Sequence, residues 1–440
     1  MPGGKVVFQR PDLGSLETIN LATGIKTILA DPSEPGQRLP WSLAPDGRTF
    51  VVVTGRGWAK GGGTSGASRA ALWAVRFDGS NPRKLLDLTV DGLPQTPLGA
   101  QITIINGAYQ TLPWIGETGE VVVTSAHEGT VDLYAVAVDS GQVRRLTHSP
   151  ELEFNALVSP DESLVAFGST VSFGTGAGWL QSGIAHVPAR GGKMQWFLQP
   201  GEIPETDALQ LAGWVDKQLL AILIEPGGVA SSLVALSPGA PSRILFRAPA
   251  LVTVDIGVSR VAIAGNAPGE QQVAIWSAGQ TGAQPVITTR GVERLSWSPD
   301  GRTLLICTNA RYGTSQRVLW RDAGTLALPD GSCASRAWEF DGHLALGGDA
   351  QDSAIPAEIF APDGSLLRTL PPGALPIGWS GGNLFAFIPD SGDATWQLFR
   401  VGAGELETPD SMIGPPIDGI PQGAVLMPET VDGARDMLIG

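Results

Sequence analysis

Several groups of residues in this chain have the types and spacing to do chemistry. Gly378-Trp379-Ser380-Gly381-Gly382 fits the G-x-S-x-G pattern, in which a strand-to-helix turn exposes a nucleophilic serine beside an oxyanion hole. No helical pattern follows it, and Ser380 aligns with Ser298 ahead of Pro299-Asp300, so it reads as a turn. Gly61-Gly62-Gly63-Thr64-Ser65-Gly66 could cradle a phosphate, but a P-loop needs a lysine after its last glycine and a helix behind it. Here Lys60 precedes the glycines and a strand follows, so a flexible connection is expected. His127, His148, His186 and His343 could hold a metal only if their nitrogens converged within ~2.2 Å of one ion. By register they fall in an inter-strand loop, an outer-strand end, a third strand and an inner turn, and no metal is expected. Asp161-Glu162 and the pair Asp390 and Asp393 read as solvated turns, with weak calcium binding as the alternative. No cofactor is implied.

The elements that must position these residues form a repeat. Trp297-Ser298-Pro299-Asp300-Gly301-Arg302 is followed by the apolar run Leu304-Leu305-Ile306, and from Trp214 through Ile256, Trp297 and Trp338 to Trp379 the steps are 42, 41, 41 and 41 residues. Earlier copies, with wider gaps that read as insertions, sit at Val158, Trp114 and Leu43. A period of about 40 to 45 residues is one four-stranded propeller blade. Within each copy an inner strand meets a tight turn, where proline presets φ and glycine tolerates a positive one. A second strand returns, and alternating runs such as Leu72 to Phe77 end at turn dipeptides such as Asp78-Gly79, as antiparallel hairpins do. A sandwich would also use short strands, but it would not repeat at a fixed period.

The expectation is an all-β fold: a single closed β-propeller of four-stranded antiparallel blades occupying residues 1–440. Repeats run from about 38 to 410, and closure is expected from segments 1–32 and 412–440. Val6 to Phe8, Leu16 to Leu21 and Ile25 to Leu29 resemble three outer strands, and a further step from Trp379 lands at Ile420, ahead of Ala424 to Met427. One blade built from both chain ends would remove exposed sheet edges. The literal count is nine blades, with eight as the alternative.

Composition narrows the class. Lys and Arg number 29 against 43 Asp and Glu, a net charge of −14, which disfavours nucleic acid because counterion release needs clustered cations. Hydrophobic residues at 42% and charged residues at 16% argue against disorder. The longest apolar run, Leu219 to Ile224, is far short of the ~18 residues a transmembrane helix needs. The N-terminus lacks an apolar signal core, so the chain as given reads as cytoplasmic or as a form without its export segment.

Cys307 closes a second strand and Cys333 opens the next unit's first strand, two positions that reach the same end of their blades. A disulfide there needs Cα atoms within roughly 7 Å; two buried free thiols are the other reading. A bond would imply an oxidising compartment.

Leu43-Ala44-Pro45-Asp46-Gly47-Arg48, Val158-Ser159-Pro160-Asp161-Glu162-Ser163 and Trp297 to Arg302 resemble the repeat of the TolB-type, WD40-like propellers. Val143 to Pro150 is similar to that family's outer strand and inter-blade link. The resemblance implies a closed propeller of a kind found in bacterial envelopes, working in protein interaction or as a non-catalytic domain. The small N-terminal domain of TolB has no counterpart here, and the Gly-His and Trp-Asp signatures of true WD40 repeats are missing.

The longest insertions, Gly55 to Arg69, Val90 to Leu112, Thr170 to Ser182, Asn309 to Gln316 and Gly348 to Pro356, fall in connections that open on one propeller face, where repeat proteins commonly bind. They carry Trp58, Lys60, Tyr109, Phe173, Trp179, Arg311, Tyr312, Asp349 and Asp352. Exposed Trp, Tyr and Arg dominate interface hot spots, so the expectation is a non-catalytic binding or scaffold protein with a protein, peptide or glycan partner. Against it stands a plug formed by Trp58 and Trp179 over the central channel. The competing function is a carbohydrate-active lyase or hydrolase with carboxylates at the funnel, for which Asp349 and Asp352 are the candidates.

Overall fold

A computed structural model describes residues 4–10, 15–30, 40–55, 70–88, 111–173, 179–180, 182–202, 208–225, 230–267, 270–308, 316–347, 355–390, 395–402, 411–418 and 421–428. It contains nine four-stranded antiparallel sheets, the blades of a β-propeller, and no helix among the described residues. Numbered along the chain, blades 1 to 8 span 41–87, 114–145, 152–198, 208–248, 251–289, 292–328, 335–372 and 375–418. Blade 9 takes its first strand, Gln422–Pro428, from the C-terminal side and its other three, Gly4–Gln9, Leu16–Asn20 and Lys26–Ala30, from the N-terminal side. Val6 pairs with Leu426 and Val7 with Val425. The eight-blade alternative fails because nine four-stranded sheets are present. Ser411–Asp418, expected within the closing segment, is instead the fourth strand of blade 8, paired with Thr395–Gly402.

The strands sort into two compact units, Leu29–Leu251 with blades 1 to 4, and Met1–Ile28 together with Val252–Gly440 with blades 5 to 9. Within each, the core lies between neighbouring blades. Leu72 and Ala74 of blade 1 pack with Val121, Val123, Tyr134 and Val136 of blade 2. Phe8 and Ile19 of blade 9 pack with Phe385, Phe387 and Leu398 of blade 8. Strand alternation sends successive side chains to opposite sheet faces, so one strand serves two such cores, and each buried Leu or Phe contributes roughly 1.5–3 kcal/mol.

The regular tryptophans have a bonding reason beside their bulk. Trp338 Nε1 donates to Ser296 Oγ at 3.2 Å and Trp379 Nε1 donates to the Ala337 carbonyl at 3.1 Å. Each indole thus reaches back to the residue just before the preceding blade's own tryptophan. Trp114 Nε1 donates to Ser42 Oγ at 2.8 Å, the residue before Leu43, which holds the repeat position in blade 1. In blades 2, 7 and 8 the repeat position therefore sets both the packing and a hydrogen bond to the preceding blade, whereas the indole N–H groups of Trp214 and Trp297 are buried without a partner among the described residues.

Candidate functional site

The turn between the first and second strands is tight wherever the Pro-Asp-Gly pattern stands. Asp300 Oδ1 accepts from the Ser298 hydroxyl at 2.6 Å and the Arg302 amide at 3.0 Å, and Gly301 adopts φ 66°. Asp46 accepts from the Arg48 and Thr49 amides, and Asp161 from Ser159 and Ser163. The Ser159 and Ser163 hydroxyls hold the Asp161 carboxyl down to about 2. These carboxylates brace their own turns. The G-x-S-x-G match is also a turn between first and second strands, here a two-residue hairpin: Ser380 pairs with Asn383, and Gly381 and Gly382 have φ of 57° and 71°.

Antiparallel order puts the connections between second and third strands, and the links between blades, at the other end of each sheet. The described strands that flank the long insertions end there. Trp58, Lys60, Tyr109, Arg311, Tyr312, Asp349 and Asp352 fall outside the described residues. Phe173 and Trp179 are brought together: Ser172–Phe173 and Trp179–Leu180 form a small two-stranded sheet in which those two residues are direct partners. Strands of two residues carry no alternation, so the sequence offers only a loop at this point.

Cys307 and Cys333 are bonded, with a Cα separation of 6.4 Å. Cys307 lies in the second strand of blade 6, and Cys333 just precedes the first strand of blade 7, so the bond ties neighbouring blades. The free-thiol reading is thereby replaced. Arg294 donates to the Cys333 and Ala334 carbonyls at 3.0 and 2.6 Å and anchors the same crossing.

Two titratable clusters were not legible beforehand. Between blades 2 and 3, Asp132 and Glu153 are both fully buried. Asp132 takes Arg145 Nη2 at 2.6 Å and the Ser149 amide at 3.2 Å. Glu153 takes the Leu133 amide at 3.2 Å and the Thr147 hydroxyl, while its Oε1 has no partner. Burial pushes the Glu153 carboxyl up to about 8. Arg145, Thr147 and Ser149 belong to the Val143–Pro150 link singled out from sequence, which the structure makes an inter-blade clasp. The second cluster, Glu339, Asp341 and His343, sits on one turn of blade 7 with its ligand-type atoms within 4.8 Å of one another. His343 Nδ1 lies 2.7 Å from Asp341 Oδ1 and its ring 5.9 Å from that of Trp379, contacts that brace the turn against blade 8. His127, His148 and His186 stand in blades 2 and 3 or the link between them, apart from it in sequence and sheet.

No family model matches the chain, and no curated protein matches it either. It is similar to the crystal structure of a eukaryotic initiation factor, at 10% identity and a TM-score of 0.56, over 97% of this chain and 99% of that one. It is also similar to TolB from Acinetobacter baumannii, at 12% identity and a TM-score of 0.34 over 74% and 64%. An oligogalacturonate lyase in complex with manganese gives 9% identity and a TM-score of 0.45 over 98% of each chain. The likeness is one of fold, and the class it defines is the β-propeller. A propeller hosts binders and enzymes alike, so function has to come from the chain's own residues.

Proposed function

We propose that this chain is a non-catalytic binding or scaffold propeller of the TolB type, whose long-connection end receives a protein, peptide or glycan partner. The observation that carries the reading is the asymmetry of the sheets: braced turns at one end, and at the other the insertions that hold Trp58, Lys60, Tyr109, Phe173, Trp179, Arg311 and Tyr312. Tryptophan, tyrosine and arginine are the residue types that dominate interface hot spots. The pairing of Phe173 with Trp179 supports this, since it fixes two aromatic positions at one spot of that end. The Cys307–Cys333 bond fits a protein of an oxidising compartment. The test is to probe peptide and glycan arrays with the wild-type chain and with Trp58→Ala and Trp179→Ala. Partner binding is expected to fall at least tenfold in the variants; an unchanged profile would overturn the reading. Turnover of an acidic oligosaccharide by the wild-type chain would do the same.

A further inference from the structure

At the tight-turn end of blades 1 and 2, remote in the sheets from the connections proposed above, a cleft of about 340 Å³ opens between the two blades. Its wall follows from ladder register. Arg76 faces Thr49 across one strand pair and Ala74 faces Arg83 across the next. Ala74 and Arg76 are two residues apart, so all four side chains leave the same face of the sheet. That face packs against blade 2 through Leu72 and Ala74. Beyond Ala74 the lining turns mostly polar, with Arg48, Arg76 and Arg83 beside Asp46 and Asp139, while Val75 and Val138 remain as its apolar part.

The charges in this cleft do not cancel. Asp46 is committed to its own turn, accepting the Arg48 and Thr49 amides at 2.8 and 3.1 Å and the Thr49 hydroxyl at 3.2 Å. Arg83 bridges to blade 2, donating to the Asp139 carbonyl at 2.7 Å and to the Val138 carbonyl. Arg48 and Arg76 make no ion pair and no side-chain hydrogen bond among the described residues. Their backbones, by contrast, are fixed: the Phe77 amide donates to the Arg48 carbonyl at 2.8 Å, and the Arg76 amide to the Ser80 carbonyl at 3.0 Å. Among the described lining residues three guanidinium groups therefore face two carboxylates, Asp46 and Asp139, an excess of positive charge in a chain whose net charge is −14.

We infer that this cleft is a binding site for a small oxyanion, a phosphate or carboxylate group, held by Arg48 and Arg76 with Arg83 as the fixed rear wall. The planar fork of a guanidinium matches two oxygens of either group. The volume lies at the lower end of small-molecule sites, about 300–1,000 Å³, which selects a compact ligand or one acidic group of a larger one. The chain's other Pro-Asp-Gly-Arg turn makes the contrast. In blade 6, Arg302 holds the position of Arg48 but lies 3.9 Å from Asp300 in an ion pair.

The experiment is calorimetric titration of the whole chain, at low and constant ionic strength, with inorganic phosphate and separately with malonate. Saturable one-to-one binding of either is expected, and the anion that binds tells whether the source is a phosphate or a carboxylate. The Arg48→Gln/Arg76→Gln variant should bind at least tenfold more weakly, and Arg302→Gln as the wild type does. Both sites of substitution are exposed turn ends, and an unchanged thermal midpoint confirms the fold; should the double variant not fold, Arg76→Gln alone is titrated. Absence of binding of both anions up to about 10 mM, or equal binding by the variant, overturns the assignment. The result is independent of the array profile above, which reads the opposite end of the sheets.

Discussion

Glu153 is the residue whose surroundings conflict most with its charge. It is fully buried, shares the Thr147 hydroxyl with Asp132, and leaves one oxygen without a partner. Its folded-state value of about 8 lies above the 4.5 of an ordinary glutamate, so folding takes up a proton at any pH between them. The stability it contributes is whole below about 4.5 and is lost as pH rises through 8, at most about 1.4 kcal/mol per pH unit. Glu153→Gln, which cannot ionise, should flatten that decline and be more stable than the wild type at pH 9. Urea midpoints from pH 5 to 9 check this; parallel profiles for the two proteins would refute it. Nothing in the local sequence Leu152-Glu153-Phe154 announces the effect, because the burial that drives it is tertiary and the neighbouring acid, Asp132, arrives from another blade. Arg48, Arg76 and Arg83 all belong to blade 1 but stand on its turn and two different strands, so they escaped notice too. Their separation along the chain has no period, and only the strand register collects them.

At the scale of the strand and turn, most was legible. The steps of 41 residues placed the ends of the inner strands correctly because a large apolar side chain closes each one, and at Trp338 and Trp379 the indole also bonds the preceding blade. What the pattern cannot show is how closely turns approach each other. Gly301 and Gly414 both have positive φ, 66° and 71°. A Cβ at Gly301 would find its nearest atom at 3.6 Å, while at Gly414 it would lie 2.6 Å from the Gly24 carbonyl oxygen. Gly301→Ala should therefore cost only the backbone term, about 1–2 kcal/mol. Gly414→Ala should cost clearly more, because main chain on both sides must shift. Denaturant midpoints of the two variants measure the difference, and equal losses would show that the close approach relaxes freely.

For the whole molecule, the decisive pairing is between Gly4–Gln9 and Gln422–Pro428. The sequence indicated it through three strand-like runs at one end and one at the other. Removing residues 421–440 should leave the Val6 and Val7 strand with an open edge, and such edges recruit other chains. The truncated chain is expected to aggregate and to lose its cooperative thermal transition. Adding a peptide of residues 421–429 in trans should restore part of it. A monomeric truncation with the wild-type midpoint would contradict that role. The candidate recognition residues were placed by loop length and composition alone, and most lie outside the described residues, so their test rests on the arrays.

That pairing also sets an order of events during synthesis. The strand of Gly4–Gln9 is made roughly 400 residues before its partner, an interval of about 20 to 80 s at cellular translation rates. For that interval the nascent chain carries an apolar edge that nothing of its own can yet cover. Blades 1 to 8, each complete in itself, can assemble as they emerge. The last few strand residues are thus a latch, and a cell making this protein has to keep the earliest strand occupied or shielded until they appear.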